Sequence, residues 1–199
     1  MGKIKNAGFQ ALTLTNSGLA RCLICDVELF AAFDFSQHEK NFPYKPYNTK
    51  ALWDTGATNT VVTASTAKEM GLIPSGQANM KHANDEVTCN TYLINLVLPN
   101  KVRIQGIPVF ECQTVDGGWG AIIGMDIITK GDFSITNINN KTVFSFRFPS
   151  TKTIDYVVES HKIMFADYGK NSPCYCGAKD ENGKPKKFKL CCMEKLKLL

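Results

Sequence analysis

The stretch ALWDTGATNTVV, residues 51–62, sets an aspartate, Asp54, inside an otherwise apolar and β-branched run. Leu52 and Trp53 precede it, and Val61 and Val62 follow soon after. A carboxylate there is costly to bury unless it is paired or shares a proton. Its neighbours have a mechanical reading. Gly56 lets the chain turn tightly behind the aspartate. Thr55 offers a hydroxyl that can fix the turn, and Ala57 is small enough to let another backbone approach. Such a turn presents a carboxylate at the end of a strand. The plainer alternative is that Asp54 is only a turn-former, as aspartate often is. The longer string L-W-D-T-G-A-T-N-T weighs against that.

Outward from this turn the pattern is mostly β. LARCLICDVELFAA (19–32) is apolar and β-branched and suits a buried strand. TYLINLVLP (91–99) and KVRIQGIPVFEC (101–112) are two more strand-like runs separated by a Pro-Asn turn. FSITNI and KTVFSFRF flank Asn139-Asn140 as a hairpin, and Phe144, Phe146 and Phe148 alternate with Val143, Ser145 and Arg147 to give one buried aromatic face. Helix signals are few. STAKEMGLIP has a hydroxyl cap and a Gly71/Pro74 stop, and GMDIITKG gives a turn or two before Gly131. Many short strands with two short helices predict a mainly β barrel or sandwich-like domain. There is no internal repeat.

The 199 residues suffice for one core of ordinary size and a small appendage. The net charge of +5 is unevenly placed. Residues 1–168 carry 15 basic and 15 acidic residues, whereas residues 169–199 carry 8 lysines and 3 acidic residues. The cysteines divide at the same point. Cys174, Cys176, Cys191 and Cys192 crowd the tail, while Cys22, Cys25, Cys89 and Cys112 are scattered. No apolar run is long enough to span a membrane. The start, MGKIKNAGFQ, lacks the apolar core of a signal peptide, and Asn6 stands where a myristoylation signal wants Ser or Thr. A cytoplasmic protein is expected, in which crowded cysteines suggest metal rather than disulfides.

The string around Asp54 resembles the active-site loop of the retropepsin-like aspartic proteases. A second landmark supports the resemblance: AIIGMDII (121–128) looks like the family's hydrophobic-hydrophobic-Gly segment, here Ile122, Ile123 and Gly124, which packs beside that loop and leads into a short helix. The resemblance covers about residues 20–148. It implies an acid-protease barrel and a flap, a hairpin that closes over substrate. The candidate flap is MKHANDEVTC (80–89), with His82, Ala83, Asn84 and Asp85 about its tip. The family often has glycines there and this sequence has none; an ordinary polar hairpin is the alternative. One aspartate loop without a repeat implies a homodimer, each chain contributing Asp54 across a twofold axis. Two carboxylates about 3 Å apart share one proton, so one acts as general base on a water and the other as general acid toward the scissile carbonyl.

Competing motifs are weaker. Asp126 sits where a short helix begins, which favours an acid without catalysis. His38, His82 and His161 show no HExxH spacing, and no GxSxG or phosphate loop is present. Cys22-x-x-Cys25 lies in a strand-like run with no second pair nearby, so core residues are expected.

The tail SPCYCGAKDENGKPKKFKLCC reads C-x-C, fourteen residues, C-C. Four thiolates satisfy a tetrahedral zinc with no open position, a structural site whose metal can supply folding energy. The tail resembles the SEC-C motif, a small zinc module first noted at the C-terminus of a protein-translocation ATPase. Cys174-Tyr175-Cys176-Gly177 matches one end and Lys186-Lys187-Phe188-Lys189-Leu190-Cys191-Cys192 the other, with an inserted DENGKP loop between. The alternative is a basic tail with incidental cysteines. Four thiolates and one zinc sum to about −2 and reduce the tail's charge to about +3, a weak nucleic-acid signal.

The chain is thus expected to comprise an N-terminal extension (1–18), a protease domain (19–150), a connecting segment (151–168) and the zinc module (169–199). The expected function is a homodimeric aspartic endopeptidase acting on protein or peptide. Its basic tail is a candidate dock for a protein partner; nucleic acid and membrane are not expected. The runner-up is a non-catalytic binding or assembly module using the same barrel and tail.

Overall fold

The computed structural model describes residues 8–38, 41–81, 86–113 and 117–196. It divides into two units, Met1–Lys152 and Thr153–Leu199.

In chain order the strands are β1 (Gln10–Thr15), β2 (Leu23–Ala31), β3 (Tyr47–Trp53), β4 (Val61–Thr63), β5 (Gly76–Lys81), β6 (Glu86–Leu98), β7 (Val102–Cys112), β8 (Ala121–Ile123), β9 (Asp132–Thr136) and β10 (Val143–Phe148). Short helices α1 (Ala64–Glu69) and α2 (Met125–Ile128) follow β4 and β8. The mainly β architecture expected from the sequence is observed. Strands β2-β3-β8-β4-β7-β6 are hydrogen-bonded in that order, and β2 pairs again with β6, which closes a six-strand barrel. Closure leaves no open edge among those six. β5 extends outward from β6 as a hairpin arm.

The barrel interior follows the strand period of two. Cys25, Val27 and Leu29 of β2 point inward, as do Tyr92, Ile94, Leu96 and Leu98 of β6 and Val102, Ile104, Ile107 and Val109 of β7. The register of β6 and β7 shifts between Ile94 and Leu96. Asn95, wholly buried, satisfies the backbone there. Its Oδ1 accepts from Gly106 N at 2.9 Å, and its Nδ2 donates to Phe33 O at 2.7 Å. Gly106 has φ +66°, a conformation that suits glycine.

A second sheet, β1-β10-β9, covers one side of the core with Leu12, Phe144 and Phe146. The expectation that 1–18 is an extension outside the domain differs from the structure at β1, whose six residues pair with β10 from Gln10↔Phe148 to Thr15↔Val143. QALTLT alternates apolar and polar residues too briefly to announce a strand without its partner. The hairpin at Asn139-Asn140 forms as expected, both residues taking positive φ.

In the second unit, α3 (Tyr156–Met164) is capped by Asp155, whose Oδ1 accepts from Val157 N and Val158 N. The unit therefore begins within the stretch read from sequence as a connector. Its small core joins Cys174, Phe188 and Cys192 to Phe165, Tyr168, Met193 and Leu196, and ends in α4 (Cys192–Lys195).

Candidate active site and cysteine centre

β3 delivers Asp54 to a turn that doubles back into β4. Gly56 N donates to Asp54 Oδ1 at 2.8 Å, and Ala57 N donates to Asp54 O at 3.2 Å. The bond that orients the carboxylate thus comes from the Gly56 backbone. A Cβ at Gly56 would lie 3.1 Å from that oxygen, so the glycine leaves room for the carboxylate. Thr55 and Gly56 are exposed, and Asp54 and Ala57 are half-buried.

β8 lies between the two strands that flank the turn. It runs parallel to β3, with Leu52↔Ile122 and Trp53↔Ile123, and antiparallel to β4, with Val61↔Ile122. Asp54 N donates to Ile123 O at 3.0 Å, Met125 N to Ala57 O at 2.8 Å, and Asp126 N to Thr58 O at 3.2 Å. At Gly124 the backbones meet: a Cβ there would lie 2.6 Å from the carbonyl carbon and oxygen of Asn59 and 2.9 Å from Ala57 O. Only glycine fits so close an approach. The structure therefore brings Ile122, Ile123 and Gly124 against the turn formed by residues 54–57.

Two features of this region are not legible as motifs. Trp53 is buried against Phe133, Phe144 and Phe146, and its Nε1 donates to Cys25 Sγ at 3.2 Å. Burial pushes the Cys25 thiol up to about 11, so it stays protonated and serves as a packed acceptor. Cys22 is exposed and lies outside β2. Further, the buried hydroxyl of Thr60 accepts from Gly124 N at 3.2 Å and donates to Asp126 Oδ1 at 2.8 Å. Asp126 lies in the first turn of α2, and its Oδ1 also accepts from Ile127 N at 3.0 Å.

The arms of the candidate flap form an antiparallel hairpin, β5 with β6, from Gly76↔Thr91 to Lys81↔Glu86. The proposed tip, His82, Ala83, Asn84 and Asp85, lies outside the described residues.

In the second unit the four tail cysteines converge. The sulfurs of Cys174, Cys176, Cys191 and Cys192 all lie within 4.8 Å of one another. Cys176 Sγ is 3.4 Å from Cys174 Sγ and 3.6 Å from Cys191 Sγ. A tetrahedral metal with M–S bonds of about 2.3 Å needs sulfurs about 3.8 Å apart, so the donor set fits such an ion. The sequence supports this locally. Gly177 N donates to Cys174 O at 3.0 Å, closing a turn with Gly177 at φ +72°. Cys174 N donates to Lys186 O at 2.7 Å, which ties the two cysteine-bearing ends together. The inserted loop is a compact turn: Asp180 Oδ1 accepts from Asn182 N and Lys184 N. Burial opposes ionisation of Cys174, but hydrogen bonds from the Cys176 and Cys192 backbone and from neighbouring thiols hold it down to about 6. The hydrogen bond with Cys176, followed by burial and the thiolate of Cys174, pushes Cys191 up to about 12. Four close cysteines could hold a metal ion here.

Among known proteins, the family model described as "gag-polyprotein putative aspartyl protease" matches residues 45–130, from β3 through α2. A retropepsin-like aspartic protease from Rickettsia conorii is similar in structure, at 12% identity and TM-score 0.44, over 73% of this chain and 98% of that one. The retroviral protease-like domain of Ddi1 from Leishmania major is similar at 18% identity and TM-score 0.32, over 63% of this chain and 93% of that one. No curated protein matches the chain. The matched family segment contains the Asp54 turn, the hairpin arms and the Gly124 approach.

Proposed function

We propose that the barrel is the catalytic domain of a retropepsin-like aspartic endopeptidase that works as a homodimer. The observation that carries this reading is the seating of the Asp54 turn on β8, with Gly56 N on the carboxylate and Gly124 pressed against the turn's backbone. The aspartyl protease family match over residues 45–130 supports it independently.

In this reading two Asp54 carboxylates meet across a twofold axis and share one proton. The ionised member takes a proton from a bound water, which attacks the scissile carbonyl. The protonated member donates to the carbonyl oxygen. Thr55, Gly56 and Ala57 shape the turn. The β5–β6 hairpin, with its tip at residues 82–85, is the flap over a protein or peptide substrate.

The C-terminal unit is proposed to be a structural zinc module of the SEC-C kind, held by Cys174, Cys176, Cys191 and Cys192. Zinc bound there would cross-link two ends of the segment and leave no open position for chemistry. Its lysines make it a candidate dock for a protein partner. The proposed setting is the cytoplasm, where thiols stay reduced.

The test is cleavage of a peptide library, with and without an active-site-directed aspartic protease inhibitor. Asp54→Asn, nearly isosteric but unable to act as base, should abolish cleavage and leave the fold intact. Specific activity should fall on dilution below the dimer dissociation constant, and excess Asp54→Asn chains should poison the wild type through mixed dimers. A fully active monomer, or an active Asp54→Asn variant, would overturn the assignment. A folded dimer that cleaves nothing would favour the binding-module reading.

A further inference from the structure

We propose that Thr60 and Asp126 form a positioning pair: a buried hydroxyl and a carboxylate that clamp the far end of the Asp54 turn onto the start of α2. The proposal rests on the peptidase reading for its kinetic consequence and on hydrogen bonds for its structural one.

The segment from Asp54 to Thr60 is tied to β8 and α2 at four points. Three are backbone bonds: Asp54 N to Ile123 O, Met125 N to Ala57 O, and Asp126 N to Thr58 O. The fourth runs through side chains. Thr60 Oγ1 receives the Gly124 N–H and passes its own proton to Asp126 Oδ1. Thr60 is 2% exposed, so its hydroxyl cannot exchange these partners for water. The Thr60 carbonyl accepts from Phe110 N at 3.2 Å, which fixes the residue to β7 as well. Asp126 Oδ1 is held in turn by Ile127 N.

The arrangement is directional. A threonine hydroxyl that accepts from a backbone N–H must send its proton elsewhere, and a carboxylate oxygen is the acceptor present. Removing the carboxylate leaves a buried hydroxyl without its acceptor; removing the hydroxyl leaves the Gly124 N–H without a partner at the tightest backbone approach of the site. Either change frees one end of the turn that carries Asp54. Misplacement of a reacting group by about 1 Å can lower a rate about 100-fold. Asp126 therefore acts through Thr60 and the turn, without touching substrate.

The experiment compares Thr60→Val, Thr60→Ser, Asp126→Ala and Asp126→Asn in the full-length protein. Thr60→Val and Asp126→Ala should lower kcat about 10- to 100-fold with KM nearly unchanged, because the turn positions the reacting acid rather than the peptide. Thr60→Ser keeps the hydroxyl and Asp126→Asn keeps an acceptor oxygen, so both should stay within about 3-fold of wild type. The double variant Thr60→Val/Asp126→Ala should be no worse than the more impaired single one, as for residues of one network. Additive losses, or equal losses in the conservative variants, would overturn the pair. A second readout does not need peptidase activity: the Gly124 amide should exchange with solvent at least about 10-fold faster in Thr60→Val than in Thr60→Ser. Unchanged exchange refutes the clamp. Faster exchange alongside an active Asp54→Asn variant would instead sink the peptidase reading and leave the clamp standing.

Discussion

The two units hold their candidate sites by different means. In the barrel, the Asp54 turn is fixed by backbone hydrogen bonds and a glycine contact, backed by a core that runs from Leu12 to Phe146. In the C-terminal unit the buried core is Cys174, Phe188 and Cys192, so two of its three buried members are candidate ligands. A core that small rarely stabilises a fold by itself. The barrel makes its site out of a finished fold. In the proposed reading, the tail makes its fold out of its site.

The strongest way to break this contrast is metal removal. If the four cysteines hold structural zinc as proposed, its apparent binding energy is about 10–16 kcal/mol, as in zinc-finger peptides. A thiol-competent chelator, or Cys191→Ser, should therefore unfold Thr153–Leu199 and leave the barrel intact. Both tryptophans, Trp53 and Trp119, belong to the barrel unit, whereas the six tyrosines are divided, with Tyr156, Tyr168 and Tyr175 in the tail unit and Tyr44, Tyr47 and Tyr92 in the barrel unit. Tryptophan fluorescence should hold steady while the tyrosine near-ultraviolet dichroism loses only the tail unit's share. A tail that stays folded without metal, or a barrel that melts with it, would erase the distinction.

A smaller effect is expected inside the barrel core. Trp53→Ala should lower stability by about 3–5 kcal/mol, as large-to-small core changes do. It empties the space against three phenylalanines and orphans the Cys25 contact. Urea unfolding followed by far-ultraviolet dichroism measures it, and the tail's metal affinity should not change.

Gly124→Ala sharpens the comparison at the turn itself. Its Cβ meets backbone rather than a yielding side chain, which predicts a loss of about 1–3 kcal/mol. The same urea titration reads it. Gly177→Ala in the tail has no neighbour within 4 Å to strike, so only its positive φ opposes the substitution.

The smallest expected effect is on acid stability. Asp132 is held down to about 2, chiefly by the hydroxyl of Ser150 at 2.6 Å and the backbone N–H of Thr151 at 3.0 Å, with Arg147 adding to both. A carboxyl whose folded value lies below its unfolded value of about 3.9 stabilises the fold above that value. That contribution falls away as pH drops through about 2. Asp132→Asn should remove this dependence, seen as a flatter urea midpoint between pH 4 and 2.

Much of this molecule was legible one segment at a time. Strand-like runs at 91–99 and 101–112 and alternation in 143–148 announced strands, because a strand with one buried face writes its period into the sequence. D-T-G-A marked the turn, and the tail's cysteine spacing marked the four thiols that converge, because both depend on residues close together in the chain. β1 was missed, because QALTLT is a strand only once β10 lies beside it. α3 was missed for a related reason: YVVESHKIM begins after a single Asp155 cap, and most of its apolar residues remain exposed, so no helical stripe stands out.

Sequence alone determined a mainly β chain with one aspartate turn and a basic, cysteine-rich end, since period, turn chemistry and composition are local properties. Tertiary structure decided what braces that turn. Thr60 and Asp126 are 66 positions apart, Cys25 and Trp53 are 28 apart, and Gly124 meets Asn59 only when β8 slides between β3 and β4. Such contacts depend on which strands become neighbours. Strand order is fixed by the closing of the whole barrel, where every inward side chain must find room at once.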